Sequence, residues 1–309
     1  MTKLYEIREV LITLIKRYER FIGPIAKFIF ALIVFIKLNN FLDYADVFNK
    51  PIVNIILAAV SSFIPGNWLV LILIIVISNH LFFVSLEAII IISAIMAIIY
   101  LMYIRIFPKM GYLIVIVPLL FSVGIPYIVP IFAGLFIGPM SIVPLFIGVV
   151  IYFFGGYLPA LTSIEAKDLT DLPETLTNMY KTIVTSLLND KTMMLTIIIF
   201  ITVMLITYLL SRLEYDYIWY IAIVAGGITN MLGFTIGNII LKTDVSIIKV
   251  VFGSIFAIAI VSICQFFKIS LDYSRAEKVQ FEDDDYIYYV KAIPKIKIGK
   301  QVKKVKRIK

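Results

Sequence analysis

The sequence predicts an all-α fold, a polytopic transmembrane helical bundle of about ten membrane segments. Hydrophobic residues make up 61% of the 309 residues and the mean hydropathy is +1.02, whereas soluble domains are roughly half apolar. Residues 110–164 contain no Asp, Glu, Lys, Arg, His, Asn or Gln. The apolar runs do not alternate with polar residues, as the strands of a membrane β-barrel would. These observations together favour helices in lipid.

The chain begins with a segment, residues 1–20, that is predicted to lie along the cytoplasmic surface. Between Tyr5 and Tyr18, Leu11 and Leu14 recur on one helical face opposite Arg8, which is typical of an interfacial amphipathic helix. The transmembrane domain is predicted over residues 21–268.

Four membrane segments are predicted before residue 105, at 21–38, 51–63, 68–83 and 86–104. A polar link, 39–50, separates the first two. The second segment is short and fits either a short crossing or a half-helix. Arg105 and Lys109 follow the fourth segment and indicate a cytoplasmic end, because cytoplasmic loops carry an excess of Lys and Arg.

The apolar centre is divided by Gly124-Ile125-Pro126 and by Gly138-Pro139 into pieces at 111–124, 126–138 and 139–155. The first two pieces are shorter than the about 20 residues that a crossing needs. Three crossings, or one re-entrant pair plus one crossing, fit this region equally. Non-helical backbone at membrane depth must be covered by protein or line a water-filled cavity, so we expect this region at the centre of the bundle.

An extramembrane amphipathic helix is predicted near 171–189, where Asp171 and Glu174 precede apolar residues at helical spacing. Three further crossings are predicted at 193–210, 217–241 and 247–267. With both termini in the cytoplasm, this helix lies on the outer side.

The tail, residues 269–309, is predicted to be a basic cytoplasmic segment. Residues 268–309 hold 12 of the 28 Lys and Arg residues, and the positive-inside rule places such a segment in the cytoplasm. Two β-rich stretches flank Asp283-Asp284-Asp285 and predict a small β-hairpin. The basic end is expected to contact anionic lipid. The net charge of +8 is explained by the excess of Lys and Arg that membrane proteins carry on their cytoplasmic side. No nucleic-acid partner is therefore expected.

The polar residues of the predicted crossings offer few candidates for chemistry. No phosphate loop, zinc-binding His pair or nucleophile elbow occurs, so we expect no enzyme activity, cofactor or metal. His80 is the sole histidine and is expected as an interfacial polar residue. Glu87 opens the next segment, and a tight hairpin would allow a buried pair with His80, which would be a functional candidate.

A face of small residues marks the predicted crossing at 217–241. Gly226, Asn230, Gly233 and Gly237 recur at spacings of four, three and four residues. Such a face allows two helices to approach closely, and Asn230 can form a hydrogen bond across it. Ordinary helix packing is the favoured interpretation, and a substrate contact is the alternative.

Two resemblances to known families follow from these patterns. The Pro/Gly-broken helices from Gly111 to Phe267 resemble, in helix count and rhythm, the membrane S subunits of energy-coupling-factor vitamin transporters and the rod-shape membrane subunit of bacterial cell-wall machinery. The tail sequence VQFEDDDYIYYVKAIPK is similar to one that closes uncharacterised multi-span membrane proteins of clostridial bacteria. No functional residue follows from either resemblance.

The functional prediction is an integral, multi-pass protein of the bacterial plasma membrane. It would act as a non-catalytic partner or assembly subunit of an envelope or transport system, with a membrane protein as its partner. The alternative is a small-solute permease or a substrate-binding membrane subunit of a transporter. An autonomous secondary transporter would show matched broken segments in two inverted halves, whereas broken helices are concentrated in one part of this sequence.

Overall fold

The computed structural model describes residues 2–83, 86–161, 172–215, 217–268, 278–282 and 287–291. These residues form α-helices, a π-helical segment at Tyr100–Ile104, 3₁₀ segments at Pro108–Met110 and Pro139–Ser141, and one pair of strands. The helices are α1 Thr2–Arg17, α2 Glu19–Leu42, α3 Asp46–Asn49, α4 Pro51–Phe63, α5 Gly66–Phe82, α6 Leu86–Ile99, α7 Gly111–Val123, α8 Ile128–Phe136, α9 Ile142–Leu161, α10 Leu172–Asn189, α11 Lys191–Ser211, α12 Ile218–Leu241 and α13 Ile247–Lys268. The strands are β1 Lys278–Glu282 and β2 Ile287–Lys291.

Five helices in the described part of the chain are long and apolar enough to cross a membrane. They are α2, the helix at Pro139–Leu158 that contains most of α9, and α11, α12 and α13. Shorter apolar helices include α4, α5 and α7. The architecture is therefore a bundle of apolar helices, as a membrane protein requires.

The described residues form two compact units. One contains residues 2–22, 264–268 and the two strands, and the other contains the described residues between 23 and 263. In the smaller unit, the Arg8 guanidinium lies 5.4 Å from the centre of the Phe266 ring. β1 pairs with β2 in antiparallel register, with Val279 opposite Val290. The predicted turn between the strands lies outside the described residues, so the hairpin stays a prediction. The predicted basic end, 292–309, and the predicted helix start at Asp171 also lie outside them.

The larger unit contains the broken helices of the apolar centre, and glycine ends two of them. Gly124 has a φ of +86°, and its N–H donates to the carbonyls of Leu120 and Phe121 at the end of α7. Gly138 has a φ of +89° after α8. These left-handed conformations favour glycine because it has no Cβ. The chain turns at both positions, where the sequence predicts turns.

α7 and α9 run in the same direction. A Cβ on Gly148 would lie 2.6 Å from the Cβ of Val117. One turn later in both helices, the ring centres of Phe121 and Tyr152 are 4.3 Å apart. Because both contacts advance together along the two helices, α7 and α9 are parallel. α8, which connects them, runs back in the opposite direction.

α8 enters the bundle beside the middle of α11. The rings of Tyr127, just before α8, and of Phe200, at the middle of α11, are 6.5 Å apart. Further along both helices, a Cβ on Gly134 would lie 3.0 Å from the Cβ of Thr207. α8 and α11 are therefore parallel, and the turn that precedes α8 lies deep in the bundle.

The predicted polar link at 39–50 is wrong in its first residues. α2 continues to Leu42, and Asn39 is fully buried inside it. The short helix α3 follows, and α4 begins at Pro51, a favourable residue for a first helical turn. The Asn39 side chain has buried hydrogen-bond partners, so a polar residue is accommodated inside the helix. The polar sequence pattern alone does not show these partners.

Candidate functional site

A buried polar network joins α2, α4 and α5. The Asn39 amide nitrogen donates to the Asn54 side-chain oxygen at 2.5 Å and to the Phe48 carbonyl at 3.0 Å. The Asn39 side-chain oxygen lies 3.0 Å from Nε2 of His80. Asn39 and His80 are both 0% exposed. His80 is thus fully buried among protein side chains, and its expected position at the membrane interface stays a prediction.

The hydrogen bonds assign the tautomer of His80. The Ala45 N–H donates to Nδ1 at 3.2 Å, so Nδ1 must be the unprotonated nitrogen. Nε2 then carries the proton and donates it to Asn39, because a neutral imidazole has one donor and one acceptor. The Phe48 ring also lies 5.3 Å from the imidazole, centre to centre. The network therefore holds residues 45–48 against α2 and α5.

Glu87 lies in the first turn of α6, but its side chain is outside the described part of the structure. Both ring nitrogens of His80 have other partners, Ala45 and Asn39. The functional pair of His80 and Glu87 therefore stays a prediction. The structure instead brings His80 to Asn39 and Asn54, two residues that the sequence analysis did not single out.

The small-residue face of α12 packs against α11 and α8. A Cβ on Gly233 would lie 3.3 Å from Ile199 of α11. A Cβ on Gly237 would overlap Leu195 of α11, and one on Gly226 would meet the Thr207 hydroxyl. The absence of side chains at these three glycines allows α11 to approach closely, as expected for packing between membrane helices.

Asn230 lies on the same face and reaches the start of α8. Its amide nitrogen donates to the Tyr127 carbonyl at 3.3 Å, and the residue is 0% exposed. Its side-chain oxygen has no hydrogen-bond partner in the described part of the chain. The rings of Tyr127 and Phe234 pack edge to face, 5.4 Å apart. A role for Asn230 beyond packing stays a prediction.

Two further buried oxygens in this region have no partner among the described residues. They are the hydroxyl oxygens of Thr207 in α11 and Ser254 in α13, and both residues are 0% exposed. A Cβ on Gly227, in α12, would lie 3.8 Å from the Ser254 carbonyl. Buried polar atoms without a partner are rare and costly. The sequence shows that residues 207 and 254 carry hydroxyl groups, but it does not show that these hydroxyls lack hydrogen-bond partners.

A cavity of about 200 Å³ lies between α2, α5, α6, α7 and α9. Three of its lining residues, Lys37, Ser122 and Tyr152, carry polar side chains, and the others are apolar or glycine. The apolar walls include Leu73, Val115 and Ile151. For comparison, an engineered apolar cavity of about 150 Å³ stays dry and binds benzene. This cavity is therefore suited to a hydrocarbon rather than to a polar solute.

Comparison of the chain with protein-family models, with the curated proteins and with the solved structures found no match. The similarity to clostridial membrane proteins and to transporter and cell-wall subunits therefore stays a prediction.

Proposed function

We propose that this chain is a non-catalytic, lipid-binding membrane subunit of a bacterial envelope or transport system. The apolar cavity between α2, α5, α6, α7 and α9 carries the proposal, because its walls match a hydrocarbon chain. A lipid chain there would gain contacts with apolar side chains that already face one another. His80, the one histidine of the chain, supports a non-catalytic role because both of its nitrogens hold neighbouring residues in place.

The same proposal includes a topology with ten membrane segments. Eight helices would cross, namely α2, α4, α5, α6, α9, α11, α12 and α13, and α7 and α8 would form a re-entrant pair. At about 1.5 Å per residue, the nine residues of α8 span far less than a hydrocarbon core of about 30 Å. The position of Tyr127 beside the middle of α11 supports a turn at mid-depth.

In this topology both termini are cytoplasmic and the tail is a β-hairpin with a basic, lipid-contacting end. Arg105 and Arg212 fall on the cytoplasmic side and α10 on the outer side. A reporter that is active only outside the membrane should be active within α10 and inactive after Lys309. Activity at both positions would contradict the topology.

Native mass spectrometry of the gently purified protein tests the function. We expect a retained lipid and a stoichiometric protein partner. Ile151→Trp should fill the cavity and remove the lipid, whereas Ile198→Trp should retain it, because Ile198 is 61% exposed on α11, outside the cavity lining. Loss of lipid from neither variant, or a wild-type protein free of lipid, would contradict the proposal.

A small-solute permease is the second candidate, favoured by the unpartnered oxygens of Thr207, Asn230 and Ser254. Transporter sites are built near the midplane where a helix is interrupted, and Asn230 contacts the residue that precedes α8. Proteoliposomes loaded with labelled vitamins, amino acids and sugars distinguish the two candidates. Release of a solute by wild type, but not by an equally stable Asn230→Leu variant, would favour the permease.

A further inference from the structure

A single cation lies at the wall of the apolar cavity. Lys37 lines the cavity from α2 and has an exposed side chain. Among the described residues, no carboxylate forms an ion pair with it. It lies five residues before the end of α2, about 8 Å along the helix axis, and therefore close to the end of the bundle that holds the buried Asn39.

A hydroxyl group also lines the cavity. Tyr152 of α9 lines the same cavity, and its ring stacks on Phe121 of α7. In the described part of the structure its hydroxyl makes no hydrogen bond, so a donor is available. Ser122 also lines the cavity, but its hydroxyl already donates to the Leu119 carbonyl at 2.7 Å. One cation and one free hydroxyl therefore accompany otherwise apolar walls.

We propose that this cavity binds an anionic phospholipid, with one acyl chain between α2, α7 and α9 and the phosphate beside Lys37. This inference rests on the lipid-binding function proposed above and adds the chemistry of the headgroup. An ammonium group next to lipid is costly without a counter-charge, and a phosphate supplies both the charge and hydrogen-bond acceptors. Tyr152 can donate a second hydrogen bond to the phosphate or to an ester carbonyl.

Other parts of the larger unit offer less specific chemistry. The unpartnered oxygens of Thr207, Asn230 and Ser254 are two hydroxyls and one amide acceptor in separate helices, and the contacts at Gly226 and Gly227 leave little space between those helices. The network of His80, by contrast, is paired through both ring nitrogens. The cavity differs from both because it combines volume, an unpaired charge and a defined apolar lining.

The test is competition between lipids with identical acyl chains. Delipidated protein in detergent is mixed with equal amounts of phosphatidylglycerol, phosphatidylethanolamine and diacylglycerol, and bound lipid is counted by native mass spectrometry. Wild type should prefer phosphatidylglycerol. Lys37→Gln should lower that preference about tenfold, the size expected for a hydrogen bond to a charged group. Lys37→Arg should restore it.

Lys27→Gln is the matched control, because Lys27 lies on the same helix but does not line the cavity. It should leave the preference unchanged, and melting temperatures should show that all variants are folded. Lipid binding without a headgroup preference, or a preference that survives Lys37→Gln, would overturn this inference alone. The absence of any bound lipid in wild type would overturn the proposed function as well.

Discussion

Two buried polar regions of this protein differ in how completely their polar atoms are hydrogen-bonded. In the network of α2, α4 and α5, the two polar groups of Asn39 make three contacts, and both nitrogens of His80 are used. In the region where α8, α11, α12 and α13 meet, Thr207 and Ser254 each leave an oxygen without a described partner. Both regions are buried, so exposure to solvent does not explain the difference.

The difference indicates what stabilises each region. A fully paired network specifies one arrangement, because each lost partner leaves a buried group unsatisfied. The α11–α12 region is stabilised instead by close approach along the small-residue face of α12, since apolar association gives no hydrophobic driving force in lipid. The first region should therefore be sensitive to lost polar groups, and the second to added volume.

The largest expected effect tests the paired network. Asn39→Leu removes the partners of Asn54, Phe48 and His80 at once. Each buried group left unsatisfied costs about 1–3 kcal/mol, so we expect a larger loss of stability than for substitutions at Gly134 or Thr207. Melting in detergent, followed by circular dichroism, measures it.

Asn40→Leu is the neighbouring control for this change, because Asn40 is exposed on α2. It should alter the melting temperature little. If the two variants melt alike, the hydrogen bonds of Asn39 contribute nothing specific and the comparison of the two regions is unsupported.

The second prediction adds volume where α8 meets α11. In Gly134→Ala the new methyl group would overlap the Met204 carbonyl oxygen, a backbone atom that cannot rotate away. Overpacking of this kind costs about 1–3 kcal/mol. Gly156→Ala in α9 is the control, because a Cβ there meets nothing within 4 Å. Unfolding by detergent titration should show a loss of stability for Gly134→Ala and none for Gly156→Ala. Equal stabilities would mean that α8 and α11 can separate without cost.

Much of the helical architecture could be predicted from the sequence, because apolar runs and Pro/Gly turns are local signals. The turns at Gly124 and Gly138 depend on residues whose backbone preferences are known. The predicted crossings at 193–210 and 217–241 correspond closely to α11 and α12. These signals do not depend on distant contacts.

The candidate sites were less predictable, because they depend on which helices meet. Asn39 looks like part of a polar link until Asn54 and His80 are placed beside it. The small-residue face of α12 could be identified from its spacing, but its contacts with both α11 and α8 could not. The cavity has no local signal at all, since Lys37 and Tyr152 are more than one hundred residues apart.

The smallest expected effect distinguishes the two regions most directly. Thr207→Val in α11 replaces a buried hydroxyl that has no described partner with a methyl group of similar shape. Because no hydrogen bond is lost, the stability should change by less than about 1 kcal/mol and should rise rather than fall. Thr196→Val is the matched control on the same helix, since the Thr196 hydroxyl donates to the Thr192 carbonyl at 2.7 Å. That variant should lose about 0.5–1.5 kcal/mol.

The direction of the change in melting temperature for Thr207→Val therefore shows whether the buried hydroxyl has a binding partner. A melting temperature that is unchanged or higher for Thr207→Val, and lower for Thr196→Val, would support a tightly packed region that contains an unpaired hydroxyl. A clear loss of stability in Thr207→Val would mean that the hydroxyl binds a group outside the described contacts. Together with the Asn230→Leu solute-release assay, that result would move the functional interpretation from the lipid-binding subunit toward the permease.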